Sequence, residues 1–226
     1  VVRVELALSA DTWSTMRAFS GLTTMVTPPQ ALSAGVVRRL RGTVAAIARA
    51  FNVSGTFNIQ ALLVGGSSDA AEIKVIETNL RASRSCPFSS KTVGADFIDL
   101  STRIMLGADY GKDTPEVQRL GLEYGEQNGP LPHSYIGVKA PMFSFTRLAG
   151  ADPVLGVEMA STGEVACYGK DAHEAFLKSM LATTGFDIPE KNILVSIQER
   201  LRGDFRPSMQ KLVDQGYTLF GTEETA

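Results

Sequence analysis

Cysteine is nearly absent from these 226 residues: only Cys86 and Cys167 occur, far apart and without the close spacing of a metal-binding knuckle. That excludes a disulfide framework and leaves buried free thiols in a reducing compartment as the expectation. No run approaches the roughly 18 apolar residues that a membrane-spanning helix needs. A formal net charge of −2 supplies no field to draw nucleic acid or an anionic membrane, so neither is expected as a partner. A glycine-rich phosphate loop is missing as well. What remains is an ordinary globular composition, 44% apolar and 20% charged, in a chain long enough for one large core or two small ones. It opens on Val1, not on methionine, and we expect a piece of a longer polypeptide, so the lack of a targeting signal carries no information.

The informative stretch runs from Thr56 to Ser90. Thr56–Val64 and Glu72–Thr78 are β-prone apolar runs separated by Gly-Gly-Ser-Ser-Asp-Ala, which is turn chemistry. Symmetric pairing about that turn sets Val64 opposite Ile73, Leu62 opposite Val75, Gln60 opposite Glu77 and Asn58 opposite Asn79. Side chains alternate along a strand, so Gln60, Glu77 and Asn79 share one face, apolar near the turn and polar at the open end. Arg81 and Arg84 follow at once. One carboxylate, two carboxamides and two guanidiniums at a strand end suit a magnesium–phosphate site, because Mg²⁺ favours hard oxygen donors and arginine forks match phosphate oxygens. A hairpin with a solvated polar end would present the same residues, and a one-residue slip would carry Gln60 to the other face.

Two signatures give these residues a context. Asn58-Ile-Gln60, the run Val75-Ile-Glu77-Thr-Asn79-Leu-Arg81-Ala-Ser-Arg84-Ser and Pro87-Phe-Ser-Ser-Lys91-Thr-Val-Gly94 resemble the second, C-terminal ATP-grasp unit of the carbamoyl-phosphate synthetase large chain. Val138-Lys-Ala-Pro-Met-Phe-Ser-Phe and Met159-Ala-Ser-Thr-Gly-Glu-Val-Ala-Cys167 resemble the segment that follows it. The resemblance covers about residues 24 to 226, whereas residues 1 to 18 fit it poorly. It implies an α/β chain: an α+β ATP-grasp subdomain with an antiparallel sheet, then the start of a parallel α/β domain like methylglyoxal synthase. The expected divisions are 1–106, 107–189 and 190–226.

Along the chain, Val1–Leu8 alternates as a strand. A helix is expected from Ala34 to Phe51, capped by Ser33, with Leu32, Val36, Leu40, Val44, Ile47 and Phe51 on one stripe. Arg38, Arg39, Arg41 and Arg49 then fall on solvated sides. A second helix is expected over Lys91–Leu106, capped by Ser89 or Ser90 and stopped by Gly107. Residues 107–137, with His133, read as a surface connection. Strands follow at Val138–Arg147 and Gly156–Tyr168, the latter holding Glu158, where some relatives of the resembled family bind an effector; sheet-edge packing or a local salt bridge is expected here. Next comes a helix over Ala172–Thr184 with an exposed His173 and with Phe176, Leu177, Met180 and Leu181 as its apolar residues. A strand at Asn192–Gln198, a short helix at Pro207–Gln215 with proline in its first turn, and a strand at Tyr217–Phe220 imply a parallel pair with a crossover.

The resemblance also implies chemistry. Glu77 would bridge two Mg²⁺ or Mn²⁺ ions, with Gln60 and Asn79 completing one sphere each; Gln60, Glu77 and Ser20 would contact ATP. Arg81 and Arg84 would face the transferring phosphoryl group or carbamate. Thr222 and Thr225 would hold an effector's phosphate. Phe19 and Leu22 stand where the family has His and Asp, which puts part of the nucleotide site in doubt. The implied reaction is ATP-dependent phosphorylation of carbamate, for pyrimidine or arginine synthesis. Implied partners are the rest of the same polypeptide, including an upstream ATP-grasp subdomain and a first synthetase half, and a glutaminase domain or subunit as ammonia source. Cytoplasmic placement is expected, with mitochondrial as the alternative. Alone, the chain is expected to be incompetent. Another ATP-grasp carboxylate ligase, or a non-catalytic regulatory remnant, stays open as an alternative.

Overall fold

A computed structural model describes residues 2–9, 24–30, 32–83, 85–109, 135–143, 145, 150–151, 161–183 and 185–225, the first stretch by its backbone. The chain divides into two compact units, Val1–Thr184 and Gly185–Ala226. In the first, the elements run β1 (Val2–Ser9), β2 (Met25–Thr27), α1 (Ala34–Ala50), β3 (Phe57–Val64), β4 (Glu72–Asn79), α2 (Cys86–Val93), α3 (Phe97–Met105), β5 (Ile136–Met142), β6 (Gly163–Gly169) and α4 (Ala172–Leu181). One sheet has the order β1-β3-β4, the other β2-β5-β6. The expected α/β class holds. The expected antiparallel sheet is mixed, because β1 runs parallel to β3 while β4 runs antiparallel to it.

Helix α1 forms where its three- and four-residue apolar repeat meets a cap: the Ser33 hydroxyl accepts from the Val36 amide. Val36 and Leu40 bury against Leu63, Ala71 and Ile73 of the hairpin, each large side chain contributing about 1.5–3 kcal/mol. The stripe fades at its far end. Phe51 caps the helix and is 59% exposed, since the chain turns away there at Asn52, whose φ is +48°. Arg38, Arg39, Arg41 and Arg49 are exposed, as a solvated face requires.

The hairpin turn also seals the start of α1. Ser33 Oγ donates to Asp69 Oδ1 at 2.5 Å, the Ser33 amide donates to the Ser67 carbonyl at 3.1 Å, and Arg39 donates to the Asp69 carbonyl at 3.0 Å. The Ser33 hydroxyl holds the Asp69 carboxyl below its ordinary pKa, and the Gly35 amide and the fields of Arg38 and Arg39 act in the same direction. A carboxylate is favoured at a helix N-terminus for the same electrostatic reason.

The helix expected over Lys91–Leu106 is two helices. Gly94 closes α2 with φ +69°, and Asp96 opens α3 by accepting from the amides of Ile98 and Asp99. Ser90 serves neither as expected. Its hydroxyl donates to the Ala95 carbonyl and accepts from the Phe97 amide, bracing the break. The predicted stripe nevertheless packs together: Val93, Ala95 and Leu100 are buried with Phe97 and Ile104 against them. Gly107 has φ +91° at the end of α3, the left-handed conformation that glycine adopts without penalty.

The second sheet is antiparallel throughout. Its strands are shorter than expected; residues 144, 146–149 and 152–160, and with them Glu158, lie outside the described residues, as does His133. Helix α4 packs on β5 and β6 through small residues, with Ala175 and Ser179 buried, while Phe176, Leu177 and Leu181 are exposed. These larger apolar side chains of the helix thus lie outside that contact. The reason is Gly169: a Cβ there would lie 2.5 Å from the Ala175 nitrogen, so helix and strand touch backbone to backbone.

The second unit contains β7 (Asn192–Val195), a short 3-10 turn at Glu199–Leu201, α5 (Arg202–Asp214) and β8 (Thr218–Gly221). Strands β7 and β8 are parallel, as the strand–helix–strand order requires. Helix α5 starts five residues earlier than expected, so Pro207 lies inside it and not in its first turn. Leu194 is 72% exposed and Phe220 52% exposed. Among the described residues no helix is long and apolar enough to cross a membrane.

Candidate functional site

The open end of the β3–β4 hairpin carries the residues to which the sequence assigns chemistry. Gln60 pairs with Glu77 and Asn58 with Asn79, as symmetric pairing predicts. Towards the turn the pairing departs from prediction: Leu62 meets Lys74 and Val64 meets Glu72. The cause is a β-bulge that inserts Ile76 beside Glu77 and shifts the strand by one residue. Hence the face holding Gln60 is apolar near the turn only on β3. On β4 it carries Glu72 and Lys74, 3.5 Å apart as an ion pair. The same shift sends Ile73 to the other face, where it packs against α1.

Gln60, Glu77 and Asn79 therefore converge. Asn79 Nδ2 donates to Glu77 Oε1 at 2.8 Å, which orients the carboxylate and leaves the carboxamide oxygen of Asn79 as a donor for a cation. Asn58 is buried directly opposite Asn79, where symmetric pairing places it, although the sequence reading gave it no role in the site. Glu77 is exposed, while Gln60 and Asn79 are half-buried. The chain then turns sharply, the Arg81 amide donating to the Asn79 carbonyl at 2.8 Å and Arg81 Nη1 to the Ala82 carbonyl at 3.2 Å. Arg81 is exposed beside the cluster in sequence. Arg84 and Ser20 lie outside the described residues, as do Phe19 and Leu22.

This donor set is all oxygen, with no thiolate or imidazole, which selects a hard divalent cation over zinc or copper. Among the described residues no group of three or more His, Cys, Asp or Glu could hold a metal ion. One carboxylate and two carboxamides thus fit Mg²⁺ or Mn²⁺ as a partial shell, to be completed by phosphate oxygens and water.

In the second unit, Thr222 and Thr225 come together just past β8. Their hydroxyls are 2.8 Å apart, Thr225 Oγ1 accepts from the Ile197 amide at 3.1 Å, and the Thr225 amide donates to the Thr222 carbonyl at 2.8 Å. Two hydroxyls at the carboxyl end of a parallel strand pair are where open α/β sheets place ligands.

Comparison with known proteins bears on the identity of the chain. Residues 11–112 match the family described as "Carbamoyl-phosphate synthase L chain, ATP binding domain". The chain is 46% identical over 208 residues to "Carbamoyl-phosphate synthase [ammonia], mitochondrial" of Aquarana catesbeiana, a match that takes in 92% of this chain and 13% of the relative. It is 48% identical to "Multifunctional protein pyrABCN" of Emericella nidulans and 49% identical to "Multifunctional protein pyr1-3" of Dictyostelium discoideum, each over 92% of this chain and 8% of the relative. The chain is similar to carbamoyl-phosphate synthase large chains over 92% of its own length.

The family match holds every member of the hairpin cluster. It begins at residue 11, upstream of the point near residue 24 where the motifs alone place the likeness. The chain spans about an eighth or less of the length of these carbamoyl-phosphate synthase and multifunctional relatives.

Proposed function

We propose that this chain forms the metal- and phosphate-binding half of an ATP-dependent carbamoyl-phosphate synthase, a ligase working within a larger polypeptide. The observation that carries the proposal is the convergence of Gln60, Glu77 and Asn79, with Glu77 oriented by Asn79, inside the matched ATP-binding stretch. Gln60, Glu77 and Asn79 would hold Mg²⁺ or Mn²⁺, and Gln60, Glu77 and Ser20 would contact ATP. When bound, the cations neutralise charge on the nucleotide's phosphates.

The chemical step is attack of a carbamate oxygen on the γ-phosphorus. The bond from that phosphorus to the β–γ bridging oxygen breaks, and ADP leaves as carbamoyl phosphate forms. Such transfer depends on positioning and on dispersing the charge that spreads over the moving phosphoryl oxygens. Arg81, on the turn after β4, and Arg84 would donate to those oxygens and to the carboxylate of carbamate. Glu77 serves as an oxygen ligand and takes no part in proton transfer.

The division 1–106, 107–189 and 190–226 belongs to this proposal, with an upstream ATP-grasp subdomain and a first synthetase half supplied by the rest of the polypeptide. Thr222 and Thr225 would bind the phosphate of an effector. A glutaminase domain or subunit would furnish ammonia. A pyrimidine-pathway role and cytoplasmic placement belong to the same proposal, on the likeness to the multifunctional proteins.

Calorimetric titration of the chain with ATP and Mg²⁺, beside Glu77→Ala, tests the proposal. Binding that the substitution abolishes is expected. Equal binding by both proteins would remove Glu77 from the site, and the proposal with it.

A further inference from the structure

The second sequence signature has no part in the chemistry above, yet it meets the first at one buried ammonium group. Lys139 on β5 is 6% exposed. Its Nζ donates to Ser85 Oγ at 2.7 Å and to Glu164 Oε1 at 2.7 Å. Ser85 ends the run Asn79-Leu-Arg81-Ala-Ser-Arg84-Ser, Lys139 lies in Val138-Lys-Ala-Pro-Met, and Glu164 lies in Ser161-Thr-Gly-Glu-Val. Three separated motifs are thus joined by one cation.

Ser85 occupies the cap position of α2, where serine ordinarily accepts from the helix's own amides. Here its side chain makes no cap hydrogen bond; the hydroxyl accepts from Lys139 instead. A cation at a helix N-terminus is opposed by the helix dipole, and burying an ammonium without a partner is costly. Glu164, 41% exposed, offsets both. The arrangement gives up a local cap and spends a buried charge to secure Ser85, one residue from Arg84 and four from Arg81. The β5–β6 ladder itself is backbone pairing from Ile136–Gly169 to Met142–Gly163, to which the Lys139–Ser85 contact adds nothing.

We propose that Lys139, neutralised by Glu164, is a positioning residue for the arginine turn. It fixes the end of the turn at Ser85 against β5 so that Arg81 is presented in one geometry to the transferring phosphoryl group. The proposal rests on the functional reading above for what the arginines do, but not for the anchoring itself. The chain segment between the metal-binding strand and α2 is then held at both ends: by the Arg81-to-Asn79 backbone bond at one, and by Lys139 at the other.

Ser85→Ala is the decisive variant, since it cuts the link and leaves the Lys139–Glu164 pair intact; Ser85→Thr keeps the hydroxyl, and Lys139→Met removes the anchor outright. Amide hydrogen exchange is measured on the 226-residue chain. Residues 80–86 are expected to exchange about tenfold faster in Ser85→Ala, the scale of losing one hydrogen bond to a charged group, with β3–β4 unchanged and Ser85→Thr close to the original. Unchanged exchange in 80–86, or a rise spread evenly over both sheets, overturns the proposal. In the parent polypeptide, phosphoryl transfer between ADP and carbamoyl phosphate should lose kcat in Ser85→Ala while the Mg²⁺ requirement and nucleotide KM hold. A KM change without a kcat change overturns the positioning role. If the unsubstituted polypeptide transfers no phosphoryl group, the functional reading fails and the exchange result alone decides whether Lys139 anchors the turn.

Discussion

Replacing Gly169 with alanine would force α4 off its sheet. The added Cβ would sit 2.5 Å from the Ala175 nitrogen, 3.0 Å from the Ala175 Cα and 3.0 Å from the Asp171 carbonyl oxygen. Every one of these is backbone, so no side chain can swing aside. The shortest contact is about 1 Å inside a comfortable van der Waals separation. The first turn of α4 must therefore lift, and Asp171, whose side chain caps the helix by accepting from the Glu174 amide at 2.8 Å, lifts with it. Overpacking of this kind costs about 1–3 kcal/mol, which lowers the melting temperature of a chain of this size by roughly 2–12 °C. Gly42 is the matched control. It lies in α1 with nothing within 4 Å of its Cβ position, so Gly42→Ala should stabilise by up to about 1 kcal/mol through helix propensity. Urea unfolding followed by circular dichroism reads both, provided the m-value is unchanged. Should Gly169→Ala unfold at or above the original midpoint while Gly42→Ala behaves as stated, the close helix–sheet contact is refuted.

Other expectations follow from the same geometry. Asp96→Ala strips the acceptor from two amides at the start of α3 and should cost about 1 kcal/mol, seen as a lower urea midpoint; no change would mean the cap is dispensable. Asp69 is held below its ordinary value of 3.8 by Ser33, the Gly35 amide and two arginines. Its contribution is therefore fully present above that value and lost as the pH falls through it and below. Asp69→Asn should flatten the acid limb of a stability profile, and an unaltered profile would discount the Asp69 cap. Asn79→Ala frees Glu77 Oε1 from its donor and should weaken Mg²⁺-dependent nucleotide binding roughly tenfold or more, the scale of losing a metal ligand's orienting partner; calorimetry showing unchanged affinity would exclude it from the site.

The helix α1 was legible because its apolar repeat and its cap adjoin in sequence, so the signals are local and agree. The hairpin cluster was legible for a similar reason: Gln60 and Glu77 flank a recognisable turn at matching distances. The bulge at Ile76 was not, because a regular and a bulged strand share one hydrophobic pattern and differ only in how the far side packs. The break at Gly94–Asp96 went unread since α3 resumes with its stripe nearly in phase, and Ser90 resembles a cap while bracing a break. For α4, Phe176, Leu177, Met180 and Leu181 marked a helix but no face was assigned, because the face depends on how near the strand can come, and Gly169 sets that distance. Lys139 was invisible as a link, its partners lying 54 and 25 residues away.

The turn at residues 65–70, with two exposed glycines at φ +86° and +97°, has the look of spare rope, the kind of place where a tag or a foreign peptide is ordinarily spliced in. Its far side is knotted to α1 by Ser33 and Arg39. An insertion between Gly66 and Ser67 would drag Asp69 out of the helix mouth and loosen Val36 and Leu40, the residues that hold β3 from behind. The damage would surface at the opposite end of the strand, where Gln60 sits. Splicing beyond α3, after Leu106, would leave that tether untouched.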